Sequence, residues 1–216
     1  MKIAIIGAGN VGSALASSFE RAGHDVVIAS RDPKDAGGVA ASSGARVGTS
    51  NRTAAAEADL IVLAIPFSSA TDVATEIREA VVGKPVVDAT NRMSFGAAGP
   101  EIDTATSNAE ELVGLLPGAH VIKAFNTLFA SKQADPVSQG LKLDGFVAGD
   151  DAAAKAVVLG LVASIGLEPI DVGPLSRARQ LEAMAFLNIA LNVANGGSWQ
   201  SGWKLVGAPG PSAKAA

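Results

Sequence analysis

The residues nearest the start of the chain have the types and spacing of a phosphate-binding turn. An apolar run at residues 3–6 leads directly into Gly7-Ala8-Gly9-Asn10-Val11-Gly12, which has the G-x-G-x-x-G spacing. The first glycine of such a turn allows a tight bend, the second lets a pyrophosphate approach the backbone, and the third lets the next helix pack closely on the strand. A helix that starts near Asn10 would direct its free amide groups at the phosphates. The pattern predicts a dinucleotide site.

The end of the next apolar run, residues 26–29, indicates which dinucleotide binds. Sites that prefer NAD usually place an Asp or Glu there to accept hydrogen bonds from the ribose hydroxyls. This chain continues instead with Ser30 and Arg31, and its first carboxylate is Asp32, with Lys34 close by. A guanidinium can bind phosphate oxygens through two hydrogen bonds, whereas a carboxylate repels them. We therefore predict NADP; the alternative is that Arg31 is a solvated surface charge.

Composition limits the classes of protein to which the chain can belong. Its 216 residues are 48% hydrophobic and 18% charged, as in a globular protein with a sizeable core. The net charge of -4 and the lack of a lysine and arginine run argue against nucleic-acid binding. With no cysteine and two histidines, we expect no disulfide, no cysteine nucleophile and no metal site.

The sequence also predicts the cellular location of the protein. No apolar stretch reaches the roughly 18 residues of a membrane span. The first residues also lack the charged region and long apolar core of a signal peptide. We expect a cytoplasmic protein with no membrane partner.

The sequence lacks an obvious acid–base pair for the oxidation of an alcohol. Such a reaction needs a proton acceptor, commonly His, Lys or a Tyr–Lys pair, and the chain has no tyrosine. His24 falls in a predicted turn, and His120 precedes a strand at the end opposite to the ligands. Lys123 and Asn126 have the spacing seen in β-hydroxyacid dehydrogenases, but Lys123 falls in a predicted strand rather than a helix. Direct hydride transfer between two stacked ring cofactors fits better.

Alternating apolar runs and helical patterns define the elements that must position these residues. Strands are predicted near residues 3–6, 26–29, 45–47, 60–65, 85–89, 120–124, 145–148 and 168–172. Helical patterns separate most of them. This alternation predicts an α/β fold of the Rossmann type, with a doubly wound, mostly parallel sheet and a small C-terminal helical extension. Residues 92–103, which hold several Gly and Pro positions, are predicted to form an irregular loop.

The last helical pattern, residues 175–194, is apolar on more than one face. A helix of this kind is buried against the sheet and suits contact with a second subunit as well. We therefore divide the chain into an NADP-binding Rossmann-like domain at residues 1–174 and a C-terminal helix and tail at residues 175–216. The second unit is expected to complete the second-substrate pocket and to form a dimer interface.

Several stretches together resemble a known family. In chain order they are Gly7-Ala8-Gly9-Asn10-Val11-Gly12, Ala29-Ser30-Arg31, Ala64-Ile65-Pro66-Phe67, Val121-Ile122-Lys123-Ala124-Phe125-Asn126-Thr127, Ile170-Asp171-Val172-Gly173-Pro174-Leu175-Ser176-Arg177 and Asn188-Ile189. Over nearly its whole length the chain resembles the coenzyme F420-dependent NADP reductases. It is also similar to the reductase domain of metalloreductases, which share the stretch at residues 123–127.

The resemblance implies a homodimer that transfers hydride directly between NADP(H) and the deazaflavin coenzyme F420. It also implies roles for particular residues at the carboxyl edge of the sheet. The glycine turn, with Ala8, Gly9, Asn10 and Val11 between Gly7 and Gly12, would hold the pyrophosphate. The 2′-phosphate would be held by Ser30 and Arg31, helped by Lys34. The nicotinamide ribose would be bordered by Ile65, Pro66 and Ser69, and the pocket closed by Asn91 and Ala130. The deazaflavin side would be lined by Asn126, Thr127, Leu128 and Trp203.

Two stretches depart from the archaeal members of that family, and both belong to the acceptor side. They are Asp88-Ala89-Thr90-Asn91 and the pair Phe125-Asn126, the latter closer to the metalloreductase version. Three functions therefore stay open: an NADPH:F420 oxidoreductase, an NADPH-dependent flavin or ferric-chelate reductase on the same fold, and a non-enzymatic NADP-sensing module.

Overall fold

Strands and helices alternate along most of the chain. The computed structural model describes residues 1–96, 99–102 and 105–207. The strands are β1 (Lys2–Ile6), β2 (Asp25–Ala29), β3 (Arg46–Val47), β4 (Leu60–Leu63), β5 (Pro85–Asp88), β6 (Met93–Gly96), β7 (Gly99–Ile102), β8 (His120–Lys123), β9 (Val137–Ser138), β10 (Leu141–Lys142), β11 (Asp144–Gly149) and β12 (Glu168–Gly173). The helices are α1 (Asn10–Arg21), α2 (Pro33–Ser43), α3 (Asn51–Glu57), α4 (Ala70–Ile77), α5 (Asn108–Leu115), α6 (Ala130–Ala134), α7 (Ala152–Ser164) and α8 (Ala178–Ala194). Short 3-10 turns lie at Phe67–Ser69 and Leu175–Arg177.

Eight of these strands form one sheet in the order β12-β11-β8-β5-β4-β1-β2-β3. Neighbouring strands are parallel except for β8 and β11, which pair antiparallel. The six strands from β3 to β8 follow the strand order of a doubly wound dinucleotide-binding fold, in which the order reverses between β1 and β4. The predicted fold class is confirmed. Ligands of such sheets bind outside the carboxyl ends of the strands that flank this reversal.

The core lies on both faces of the sheet because the central strands carry consecutive apolar residues, as at Ile3–Ile6 of β1 and throughout β4. In β1, Ile3 and Ile5 belong to the core cluster that includes residues of α1, α2 and α7, whereas Ala4 and Ile6 belong to the cluster that includes residues of α3, α4 and α5. Successive side chains of a strand point to opposite faces, so a strand covered on both sides reads as a continuous apolar run. Within the described residues, none of the helices combines the length and hydropathy that crossing a bilayer requires.

The prediction of an irregular loop at residues 92–103 was wrong in part. The structure has an antiparallel hairpin there, in which Met93 pairs with Ile102 and Gly96 with Gly99. Glycine and proline are depleted in strands, so their presence predicted a loop. Cross-strand pairing depends on which residues lie opposite one another, and the composition of the segment does not record this. Residue 103 and the residues between β6 and β7 lie outside the described part.

Helix α8 is packed against the sheet and against α5. Leu181 contributes to a small cluster with Phe146 and Ala148 of β11. Arg179 donates from Nε and Nη2 to the two carboxylate oxygens of Glu110 in α5, each at 2.8 Å. Glu110 also forms a capping box with Ser107, which fixes the start of α5. The hydrogen bonds from Arg179 lower the pKa of the Glu110 carboxyl.

We expect Glu110→Gln to lower stability at neutral pH and to have less effect in acid. Since the native pKa is lowered, the ionised carboxylate stabilises the fold above its ordinary pKa of 4.5, and this contribution is lost as the pH falls through the native value. Urea midpoints of variant and wild type should therefore converge below pH 4.5. Glu57→Gln, at an exposed position of α3, is the control. A difference that stays constant with pH would contradict this role of the ion pair.

Candidate functional site

The glycine turn between β1 and α1 is fixed by backbone contacts that leave no room for side chains. Gly7 has a φ of 113°, and a Cβ on it would lie 2.2 Å from the carbonyl oxygen of Ala64. A Cβ on Gly12 would lie 1.9 Å from the carbonyl oxygen of Gly7. The predicted tight turn at Gly7 and close helix packing at Gly12 are therefore confirmed. A Cβ on Gly9 would meet no atom within 4 Å, so this glycine borders open space.

The N-terminus of α1 adjoins that space. The helix starts at Asn10, as predicted, and its N-cap Gly9 makes no side-chain hydrogen bond to the first turn. The amide groups of a first turn have no partner within their own helix. Together with the helix dipole, they favour an anion at this position. The open space at Gly9 and the uncapped helix end fit a pyrophosphate group.

The first of two cavities, of about 600 Å³, lies beside this turn at the ends of β1, β2 and β4. It brings together most of the residues predicted to bind the dinucleotide. The predicted residues that line it are Gly7, Ala8, Gly9, Ser30, Arg31, Ile65, Pro66 and Ser69. Its lining also includes Pro33, Asp35, Thr49, Ser50, Asn51, Asp72, Val73 and Glu76, which were not predicted. Lys34 is exposed and is not among the lining residues.

The second cavity, of about 610 Å³, lies on the other side of the glycine turn, between α1, the ends of β5 and β8, and α8. Its lining includes the predicted residues Asn10, Val11, Asn91, Asn126, Thr127, Leu128 and Ala130. The other lining residues are Ser13, Ala89, Phe125, Phe129, Ser131, Ala185, Ile189, Trp199 and Gln200. None of these described lining residues carries an acidic or basic side chain. The cavity offers amides, hydroxyls and apolar surface.

Trp203 was expected to line this cavity, but the structure places it elsewhere. It packs against the cluster of Phe146 and Leu181, and its carbonyl accepts a hydrogen bond from Asp144 at 3.0 Å. The indole that lines the cavity is that of Trp199. The Gly197 and Trp199 amides donate hydrogen bonds to Asn192 and turn the chain back after α8. This turn places Trp199, rather than Trp203, in the cavity lining. The sequence holds two tryptophans in this tail but does not show where the tail turns.

Phe125 gives the second cavity its shape and was not predicted as a site residue. It follows β8 with a φ of 63°, in the left-handed region that is uncommon for a bulky residue. Its carbonyl accepts a hydrogen bond of 2.7 Å from the buried Gln133 side chain. The turn places Asn126 and Thr127 in the cavity lining. Strained residues of this kind cluster at functional sites because the surrounding structure must hold them.

Asn91 and Asn126 join the two strand ends across the cavity. The Asn126 side-chain amide donates to Asn91 Oδ1 at 2.9 Å, and the Asn91 amide donates to the Asn126 carbonyl at 3.3 Å. Asn126 Oδ1 is buried and accepts no hydrogen bond within the described part of the chain. A buried acceptor without a donor is costly, so a ligand N–H that reached it would be favoured.

A buried ionic cluster centred on Lys123 lies behind this cavity. The ammonium donates to Asp88 Oδ2 at 2.8 Å, to the Thr90 carbonyl at 2.6 Å and to Glu182 Oε1 at 2.6 Å. Burial raises the pKa of the Glu182 carboxyl, against the attraction of Lys123. With its side chain completely buried and these three acceptors around it, Lys123 does not face a substrate. Lys123 therefore cannot serve as the base of a β-hydroxyacid dehydrogenase. A lysine inside an otherwise apolar strand was the available signal for this cluster.

The histidines lie outside both cavities. His120 is at the start of β8 and approaches Asp151 at 3.4 Å, and His24 approaches Ser164 at 3.2 Å. Both positions agree with the turn and strand-start placements predicted from the sequence. The residues that the structure describes contain no cluster of three or more His, Asp or Glu side chains suited to a metal ion.

Comparison with known proteins agrees with this geometry. A family model described as "NADP oxidoreductase coenzyme F420-dependent" matches residues 2–92. The F420-dependent NADP reductase of Methanothermobacter thermautotrophicus is 35% identical over an alignment of 212 residues, and the match covers 90% of this chain and 90% of that protein. The chain belongs to the F420-dependent NADP reductase family.

Two further relatives show how widely this fold is used. A crystal structure from Arthrobacter sp. FB24, assigned provisionally as an F420-dependent NADP reductase, superposes with a TM-score of 0.86. It is 31% identical and covers 95% of this chain and 99% of its own. Metalloreductase STEAP3 of Rattus norvegicus is 31% identical over 184 residues, which are 85% of this chain and 36% of that protein. The match with the metalloreductase therefore covers most of this chain and about a third of that protein.

We expect Lys123→Met to lower the free energy of unfolding by roughly 3–5 kcal/mol, because Asp88 and Glu182 would lose their buried counter-ion. Urea denaturation followed by circular dichroism measures this. The control is Lys155→Met, since Lys155 pairs with a half-exposed Asp171 and such pairs contribute about 1 kcal/mol or less. A Lys123→Met protein with wild-type stability but slow turnover would instead assign the lysine to the chemistry.

Proposed function

We propose that this chain is an oxidoreductase that transfers hydride directly between NADP(H) and the deazaflavin coenzyme F420. One observation carries the proposal: two cavities of similar size lie on either side of the glycine turn, and the second has no acidic or basic side chain among its described lining residues. A hydride passing between two rings needs proximity and exclusion of water rather than a protein acid or base. Membership of the F420-dependent NADP reductase family supports the choice of both rings.

The first cavity is the proposed NADP site. The glycine turn would hold the pyrophosphate, and Ser30 and Arg31 would hold the 2′-phosphate, with Lys34 adding positive charge from outside the cavity. Ile65, Pro66 and Ser69 would border the nicotinamide ribose. The dinucleotide supplies the hydride when bound. The protein positions it, because backbone amides and a guanidinium bind phosphates tightly without taking part in the chemistry.

The second cavity is the proposed acceptor site. Asn126, Thr127 and Leu128 would line the deazaflavin side, and Asn91 and Ala130 would close the pocket. Asn126 and Thr127 contribute an amide and a hydroxyl to this lining, which suit the polar edge of a ring. The wall that faces the sheet would come from residues 1–174 and the opposite wall from the helix and tail at residues 175–216.

One observation favours a second candidate, an NADPH-dependent flavin or ferric-chelate reductase. The metalloreductase relative is 31% identical over 85% of this chain. The stretch at residues 123–127, which supplies Asn126 and Thr127 to the second cavity, is the one that resembles metalloreductases in the sequence. Flavins and F420 both present a planar tricyclic ring, so the same cavity suits either.

We also propose a cytoplasmic homodimer. Helix α8 leaves Leu187 and Leu191 half exposed, and Val193 lies further along the same helix with 57% of its surface exposed. Apolar side chains grouped on one helix are typical of an interface. The lack of cysteine is compatible with a reducing compartment. Size-exclusion chromatography with light scattering tests the dimer.

The acceptor is tested by oxidation of NADPH with F420, FMN and FAD in separate reactions. We expect rapid turnover with F420 and little with either flavin. Turnover with FMN or FAD alone would support the flavin or ferric-chelate reductase instead. Tight NADP binding without turnover of any acceptor would indicate the NADP-sensing module.

Arg31→Ala should raise the KM for NADPH by about 10- to 100-fold and change that for NADH little, because charge-assisted hydrogen bonds to a phosphate contribute about 1.5–3 kcal/mol. Steady-state kinetics with the two cofactors measures this. Arg46→Ala, which removes the same charge from the exposed pair with Asp25, is the control. Equal losses for NADPH and NADH would refute the 2′-phosphate role.

A further inference from the structure

The chain after α8 crosses the second cavity as a fixed strap, defined here as residues 197–205. Two buried asparagines of α8 hold its first part. Asn192 Oδ1 accepts from the Trp199 amide at 3.1 Å, and its side-chain amide donates to Ser201 Oγ at 2.7 Å. Ser201 in turn donates to Asn188 Oδ1 at 2.6 Å. The helix therefore fixes the strap through side chains that point away from solvent.

The rest of the strap is fixed by the sheet side of the cavity. The carbonyl of Trp199 accepts a hydrogen bond of 2.5 Å from Ser131. A Cβ on Gly202 would lie 2.5 Å from Leu143, so the backbone packs directly on that side chain. Beyond it, the buried Asp144 carboxylate accepts from the Lys204 ammonium at 2.7 Å and from the Leu205 amide. With anchors on both sides of the cavity, the strap is built before any ligand arrives.

The strap presents Trp199 and Gln200 to the cavity, and Trp199 is the aromatic one. Its φ of 55° lies in the left-handed region, which a bulky residue adopts only where its surroundings enforce it. The indole lines the cavity and stays 44% exposed. It meets Phe129 edge-on, with the ring centroids 5.2 Å apart and the planes at 84°. This T-shaped contact with Phe129 covers at most one face of the indole, and the exposed part of the side chain can meet another flat group.

We propose that Trp199 is the specificity-determining wall of the second cavity, against which the planar ring of the acceptor stacks. Asn188 and Asn192 act through it as positioning residues. The inference rests on the proposed function for the presence of a ring acceptor, and it applies to a deazaflavin and to a flavin alike. Stacking on an indole selects extended flat heteroaromatic rings over small carbonyl compounds, since the gain grows with the area of overlap.

The test is equilibrium binding to the full chain saturated with NADP⁺, so that no turnover occurs. Dissociation constants for oxidised F420 and for FMN are measured by calorimetry, together with that for NADP⁺ alone. Trp199→Ala should weaken binding of the preferred ring by about 10- to 100-fold, and Trp199→Phe by about threefold. Trp203→Phe, which changes the tail's other indole, should leave ring binding unchanged. NADP⁺ binding should stay within about twofold in all variants.

A double-mutant cycle separates positioning from general damage. Asn192→Ala should weaken ring binding as Trp199→Ala does, and the double variant should lose no more than Trp199→Ala alone, because the asparagine acts through the indole. Additive losses would overturn the positioning role. Thermal unfolding and elution volume are compared in parallel, and a Trp199→Ala protein that changes its oligomeric state would assign the indole to a subunit interface and overturn the inference.

Failure of this inference and failure of the proposed function give different results. If wild type binds F420 and Trp199→Ala binds it equally well, the stacking role is wrong and the proposed function stands. If wild type prefers FMN and Trp199→Ala loses it, the stacking role stands and F420 is the wrong acceptor. If wild type binds neither ring, both are wrong.

Discussion

A single buried ammonium holds together the parts of this molecule that form the second cavity. Lys123 pairs with two buried carboxylates, and buried charges are tolerated only when each of them has its partners. Asp88 comes from β5, Lys123 from β8 and Glu182 from α8, while the backbone and side chain of Asn108 bring in α5. The C-terminal helix is thereby fixed to the edge of the sheet. Its next turns, at Ala185 and Ile189, can then serve as a cavity wall.

The two cavities are built by different means, which explains how well each could be foreseen. The first lies at a turn in which contacts with the Ala64 and Gly7 carbonyls require glycine at positions 7 and 12. Such local requirements leave a mark in the sequence, as do the Ser30-Arg31 pair and the parallel strand pattern. The sheet, its order-reversal point and eight of the residues that line the first cavity were therefore predictable from residue types and spacing.

The second cavity is formed by segments distant in sequence, and its details were not predictable in the same way. The left-handed turn at Phe125 depends on a hydrogen bond from Gln133, and the seat of Trp199 depends on Asn192. Each of these hydrogen bonds is a tertiary contact that cannot be recognised from either of its two residues alone. The same holds for the β6–β7 hairpin. Asparagines in α8 determine which of the two tryptophans lines the cavity, so the sequence alone does not distinguish Trp199 from Trp203.

The uncharged lining of the second cavity bears on how the proposed reaction would respond to its surroundings. Because the described lining residues include no acidic or basic side chain, they offer the ring no general acid or base. The protein, as a catalyst, would accelerate hydride flow in both directions. The chain would act as an equilibrating bridge between two pools of redox carriers, and the ratio of their oxidised and reduced forms, with the ambient pH, would decide which pool is filled.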